Sequence, residues 1–119
     1  TGNINAYSFS NEMHSNKSSL GFYVTGETYL GKHGLSLKLD GLQKHINDKA
    51  RERGIVMHGA DYATESFIKK HGFLGRSLGC PAVPVHLHKE IINTIKGASC
   101  LFVYAPTSQY LSQSQLVKN

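Results

Sequence analysis

The chain reads as a mainly β domain with short helices, a β-rich α+β fold. Three observations point there. Twelve glycines lie largely between short apolar runs, a distribution that suits strands and turns better than a helical bundle. Leu35-Ser36-Leu37-Lys38-Leu39 alternates apolar and polar residues with the period of a half-buried strand. Two stretches, 64–71 and 86–96, carry helical spacing, and each is followed at once by a glycine. The 119 residues give room for one domain, 1–119, whose core needs no disulfides.

The elements follow in order. Ala6-Tyr7-Ser8-Phe9-Ser10 alternates and reads as a short strand, and the polar stretch 11–19 reads as a loop. Leu20 to Thr25 reads as a strand that stops at Gly26. A turn at Gly26-Glu27 would let Thr28-Tyr29-Leu30 continue it. The strand Leu35–Leu39 meets Asp40-Gly41, a strong turn signal. Asp48 is placed to cap a short helix through Lys49, Ala50, Arg51 and Glu52, stopped by Gly54. Ile55-Val56-Met57 is an apolar run that delivers His58.

Thr64 opens a helix with Phe67 and Ile68 turned inward. Lys69, Lys70 and His71 fall in its last turn, where cations favour the helix dipole, and Gly72 closes it. After the loop 75–81, Leu87, Ile91, Ile92 and Ile95 share one face of a second helix that ends at Gly97. His86 and His88 stand at its partly exposed start. Leu101-Phe102-Val103-Tyr104 reads as a central strand ended by Pro106, with Cys100 beside it as a small buried hydrophobe. The polar tail from Ser112 is expected to fray.

Thirteen Lys and Arg oppose eight Asp and Glu, a net charge of +5 with histidines neutral. That balance favours an anionic partner. No zinc-finger spacing, basic heptad helix or aromatic RNA-binding signature accompanies it, so nucleic acid is not expected, and an anionic cell-wall polymer fits the charge equally well. No apolar run approaches the ~18 residues of a membrane span, and no signal-peptide pattern is present. Two cysteines cannot form a disulfide framework, although Cys80 and Cys100 could pair with each other. Seven histidines include no HExxH and no paired-cysteine spacing, and no metal or cofactor is expected.

Two islands carry chemistry. One is Gly75-Arg76-Ser77-Leu78-Gly79-Cys80-Pro81-Ala82, and the other is Ile55-Val56-Met57-His58-Gly59-Ala60. A thiol and an imidazole, each beside a glycine, can make a nucleophile–base pair. A free thiol is mostly protonated at neutral pH, so Cys80 needs a proton acceptor, and His58 at the end of an apolar strand is the candidate. Gly79 permits close approach and offers backbone N–H for an oxyanion hole. Ser77 could hydrogen-bond across the loop, and Arg76 could hold a substrate carboxylate with two prongs. Each residue also has a plain structural reading: a cysteine that fills the core, a histidine held by hydrogen bonds, an arginine in solvent and a serine in a turn.

The chain resembles the L,D-transpeptidase catalytic domain family, YkuD-like, in its murein L,D-transpeptidase branch. The resemblance is carried by Phe9-Ser10-Asn11, Lys17-Ser18-Ser19-Leu20-Gly21-Phe22-Tyr23, Tyr29-Leu30-Gly31-Lys32-His33-Gly34, Met57-His58-Gly59-Ala60 and Gly75–Val83, and it spans about 8–110. It implies Cys80 as nucleophile, His58 as base and the backbone carbonyl of Gly59 as the third member. It implies a mixed sheet or sandwich, with further strands before Thr1 in the family domain. The implied substrate is a peptidoglycan stem peptide, and the implied reaction is cysteine acyl transfer that forms 3-3 cross-links. L,D-carboxypeptidase hydrolysis of the same stems, or a non-catalytic wall-binding module, are the alternatives. Export to the periplasm or cell envelope of a bacterium follows only from that substrate. The family usually reads Ser-His-Gly-Cys followed by Arg or Asn. Here Leu78 replaces the second histidine and Pro81-Ala82 follow the cysteine.

Overall fold

A computed structural model describes residues 7–117. Five strands form one sheet: β1 (Gly21–Gly31), β2 (Gly34–Gly41), β3 (Val56–Ala60), β4 (Ala82–Pro84) and β5 (Cys100–Val103). Their order is β4-β3-β2-β1-β5. The β1–β2, β2–β3 and β1–β5 pairs are antiparallel, and β3–β4 is parallel, so the sheet is mixed. Among the described residues the sheet is accompanied by three short α-helices, α1 (Glu65–His71), α2 (His88–Ile95) and α3 (Ser108–Gln113), and a 3-10 turn at Asp61–Ala63. The expected β-rich class with short helices is the class observed.

The alternation in β2 sets the faces of the sheet. Leu37 and Leu39 are fully buried on one face, together with Tyr23 of β1, Met57 of β3 and Ile92 of α2. Burying such side chains stabilises by about 1.5–3 kcal/mol each. Leu37 pairs with Met57 and Ser36 with His58. Because successive side chains alternate, the register that drops Met57 into the core turns His58 to the opposite face. α1 is capped as its sequence suggests: Thr64 Oγ1 accepts from Phe67 N–H, and Gly72 closes the helix with φ 82°. The helix nevertheless buries no residue, and Ile68 is exposed rather than turned inward.

Several expectations are corrected. Gly26-Glu27 is not a turn. β1 runs unbroken through it, with a register shift between Thr25 and Thr28. Arg51, donating to both Glu27 and Asp40, ties this bulge to β2. Asp40-Gly41 does not turn either but stays in β2, and the hairpin turns at Lys32-His33. Gly41 is needed for close approach, since a Cβ there would collide with the main-chain carbonyl of Asn47. Residues 43–54 form successive turns rather than a capped helix. The Asp48 carboxylate faces backward, accepting from His45 N–H and Asn11 Nδ2.

β4 was not expected. β5 is an edge strand, not a central one, and Cys100 on it is exposed. The start of the stretch expected to fray is held instead: α3 runs through Gln113, and Ser114 is fully buried, accepting from Gln43 Nε2 at 2.7 Å. Residues 7–10 carry no strand, and Ala6 lies outside the described residues.

Candidate active site

His58 is the third residue of β3 and is only 3% exposed. Its Nδ1 lies 3.0 Å from the carbonyl oxygen of Gly59. A carbonyl can only accept, so Nδ1 carries a proton, and in the neutral ring Nε2 keeps the lone pair. The His58 main-chain N–H donates to Pro81 O at 3.2 Å, which ties β3 to the residue after the cysteine. The ring of His33, from the β1–β2 turn, stacks on His58 with centroids 4.2 Å apart and planes 15° from parallel. Burial and the neighbouring His58 and Lys32 hold the His33 pKa below its ordinary value.

Gly59 is where α2 meets this strand. A Cβ there would lie 2.6 Å from His88 Cγ. His88 is buried, contrary to the partly exposed position expected for it, whereas His86 is exposed. Its Nδ1 is hydrogen-bonded to Val85 O at 2.5 Å, and its buried Nε2 has no partner among the described residues.

Cys80 sits in the loop before β4. Its Sγ accepts from Val56 N–H at 3.4 Å and lies 3.7 Å from Gly54 O. Burial pushes the thiol pKa up, and the Val56 N–H and the charges of Arg53 and Lys32 oppose that only in part. The resting group is therefore a neutral thiol. Gly79 has φ 112°, and a Cβ there would lie 2.7 Å from Lys17 O. Only glycine fits this conformation and this contact. Ser18 Oγ donates to Gly79 O at 3.0 Å, so the 10–19 segment braces the cysteine loop.

Ser77 closes the same loop. Its hydroxyl donates to Cys80 O at 2.7 Å and accepts from Gly79 N–H at 3.3 Å. That is the hydrogen bond across the loop that the sequence suggests for Ser77. The hydroxyl also occupies the Gly79 N–H. The Cys80 N–H has no acceptor among the described residues.

Cys80 and His58 line one open cavity of about 590 Å³, with Arg76, Ser77, Lys32 and His33 among its walls. No hydrogen bond joins the two in the resting structure: the sulfur faces Val56 and Gly54, and the base turns Nδ1 to Gly59. Catalytic hydrogen bonds are often loose before substrate binds. Both cysteines are free thiols. Among the described residues, no group of three or more His, Cys, Asp or Glu side chains is arranged to hold a metal ion, and no helix is long and apolar enough to cross a membrane.

Sequence reasoning missed His33, Lys32 and Arg53 as neighbours of this site. A signal for the first two existed: Gly31-Lys32-His33-Gly34 between two apolar runs has the spacing of a two-residue hairpin. Arg53 gave none. Its guanidinium donates to Ser10 O, Ser19 Oγ, Ser15 Oγ and Lys17 O, contacts 34–43 residues away that only folding creates.

Residues 1–104 match the family model described as L,D-transpeptidase catalytic domain. No curated protein and no solved structure matches the chain.

Proposed function

The chain belongs to the L,D-transpeptidase catalytic domain family, and from that premise we propose that it is a murein L,D-transpeptidase with Cys80 as its nucleophile. The observation that carries this reading is the shared cavity of Cys80 and His58, with the His58 tautomer set by Gly59 O.

In the proposed reaction, Cys80 Sγ attacks the carbonyl at the L-centre of meso-diaminopimelate in a tetrapeptide stem. Its proton passes to His58 Nε2, and Gly59 O accepts from Nδ1–H of the resulting imidazolium. No side-chain carboxylate is needed for that, and none lines the cavity among the described residues. The unpaired Cys80 N–H supports the tetrahedral oxyanion, joined by Gly79 N–H when Ser77 Oγ releases it. His58 then protonates the amine of the departing D-Ala as the C–N bond breaks, leaving a thioester on Cys80. An amine of a neighbouring stem displaces the thiolate and forms a 3-3 cross-link. Water in its place yields a tripeptide, the L,D-carboxypeptidase outcome. Such a reaction belongs in the cell envelope, where its substrate lies.

Incubation with a purified tetrapeptide stem tests this by mass spectrometry of the products. A cross-linked dimer with equimolar D-Ala supports transfer. Tripeptide alone assigns hydrolysis. No D-Ala release leaves a wall-binding module, and equal release by Cys80→Ala overturns Cys80 as the nucleophile.

A further inference from the structure

Among the described residues, three cations line the Cys80 cavity, Lys32, Arg53 and Arg76, and no Asp or Glu does. Their states differ. Arg53 is spent, its two terminal nitrogens directed at four oxygen acceptors of the 10–19 segment between 2.7 and 3.1 Å. Lys32 and Arg76 are exposed and have no hydrogen-bond or ion-pair partner among the described residues. Elsewhere Arg51 is paired with Glu27 and Asp40, and Lys38 with Glu27. The two unpaired cations come from separate elements: Lys32 from the β1–β2 turn beside His33, Arg76 from the loop that carries Cys80. Lys32 lines the same cavity as Cys80 and precedes His33, whose ring stacks on His58.

A cavity with two unneutralised cations and no carboxylate favours an anionic occupant. We infer that Lys32 and Arg76 form a two-point carboxylate subsite, so that the donor is recognised by two free carboxylates on either side of the carbonyl that Cys80 attacks. This rests on the acyl-transfer reading for the placement of that carbonyl. On the proposed donor, the two groups are the terminal carboxylate of D-Ala and the one at the far end of the diaminopimelate side chain. Arg76 offers a planar fork and Lys32 a point charge, so the fork suits a fixed carboxylate and the lysine a mobile one. Amidation of either carboxylate then removes one contact and leaves the scissile bond unchanged.

The test uses four synthetic tetrapeptide stems: both carboxylates free, each one amidated, and both amidated. Binding is measured by calorimetry to Cys80→Ala protein, so no turnover is needed. Each amidation is expected to weaken binding about two- to fivefold, the scale of an exposed ion pair. Lys32→Gln should abolish discrimination against one amidated stem and Arg76→Gln against the other. Equal discrimination in Lys32→Gln and the parent overturns the Lys32 assignment, and equal binding of all four stems overturns the subsite. D-Ala release by the wild-type protein is read separately. Discrimination in binding without release would sink the catalytic reading and leave the subsite standing.

Discussion

Substitution of Gly59 by Ala tests how α2 positions the base. The new methyl would sit 2.6 Å from His88 Cγ and 2.8 Å from His88 Cβ. Those atoms are the stem of a buried ring, not the end of a flexible chain, so β3 and α2 must part. Overpacking of this kind costs about 1–3 kcal/mol. At about 2 kcal/mol, and with a urea m-value of about 1.5 kcal/mol/M, the unfolding midpoint drops by about 1.3 M. Activity should fall beyond the loss of folded protein, because the shift moves Gly59 O away from His58 Nδ1. The decisive assay is a double-mutant cycle with His88→Gly, which removes both clashing atoms, Cβ and the ring, together with the unpartnered Nε2. The pair should recover at least about 1 kcal/mol relative to the sum of the single variants. Additivity to within about 0.5 kcal/mol would refute the steric argument.

Three further outcomes follow from the same geometry. His33→Ala uncovers one face of His58 and should lower kcat/KM up to about tenfold, the range of a ring–ring contact, whereas His33→Phe keeps the stack and most of the activity. Equal losses in the two variants would contradict a stacking role. In the resting protein at pH 7.5, iodoacetamide should modify exposed Cys100 before Cys80, whose thiol burial holds protonated; peptide mapping showing Cys80 modified first would overturn that. Burial raises the Tyr23 pKa from 10.0 to about 12. An unfolded chain loses this proton near pH 10 and the folded one near 12, so stability intact below pH 10 should decline between the two. Tyr23→Phe should flatten that decline in urea midpoints, at a cost of about 1 kcal/mol near neutrality for the lost bond to Ser19 O. An unchanged slope would contradict the assignment.

Much of the fold was legible where the signal is local. The alternation of Leu35–Leu39, the apolar run before His58, the Thr64 cap and the Gly72 stop all appear as read. The failures share a cause: partners distant in sequence. Gly26-Glu27 has the composition of a turn, yet Arg51, 24 residues from Glu27, holds it in a strand. Asp40-Gly41 reads as a hairpin signal until Asn47 O is found against Gly41. Three residues, Ala82-Val83-Pro84, become a strand only by pairing with β3. Proline is tolerated there because β4 is an edge.

In the candidate site, the residue types and their glycine neighbours were visible along the chain, and so was the Gly59 carbonyl through the family resemblance. The stacked His33, the buried His88 and the Arg53 clamp depend on tertiary placement, which periodicity does not encode.

The most direct measurement traps the acyl-enzyme. Wild-type protein is mixed with a tetrapeptide stem, quenched in acid and mapped by tandem mass spectrometry. One acyl group, equal to the stem less D-Ala, should be found on Cys80, absent in Cys80→Ala and slower to appear in His58→Ala. Acylation of Cys100 alone, or D-Ala release undiminished in Cys80→Ala, would contradict the assignment of the nucleophile.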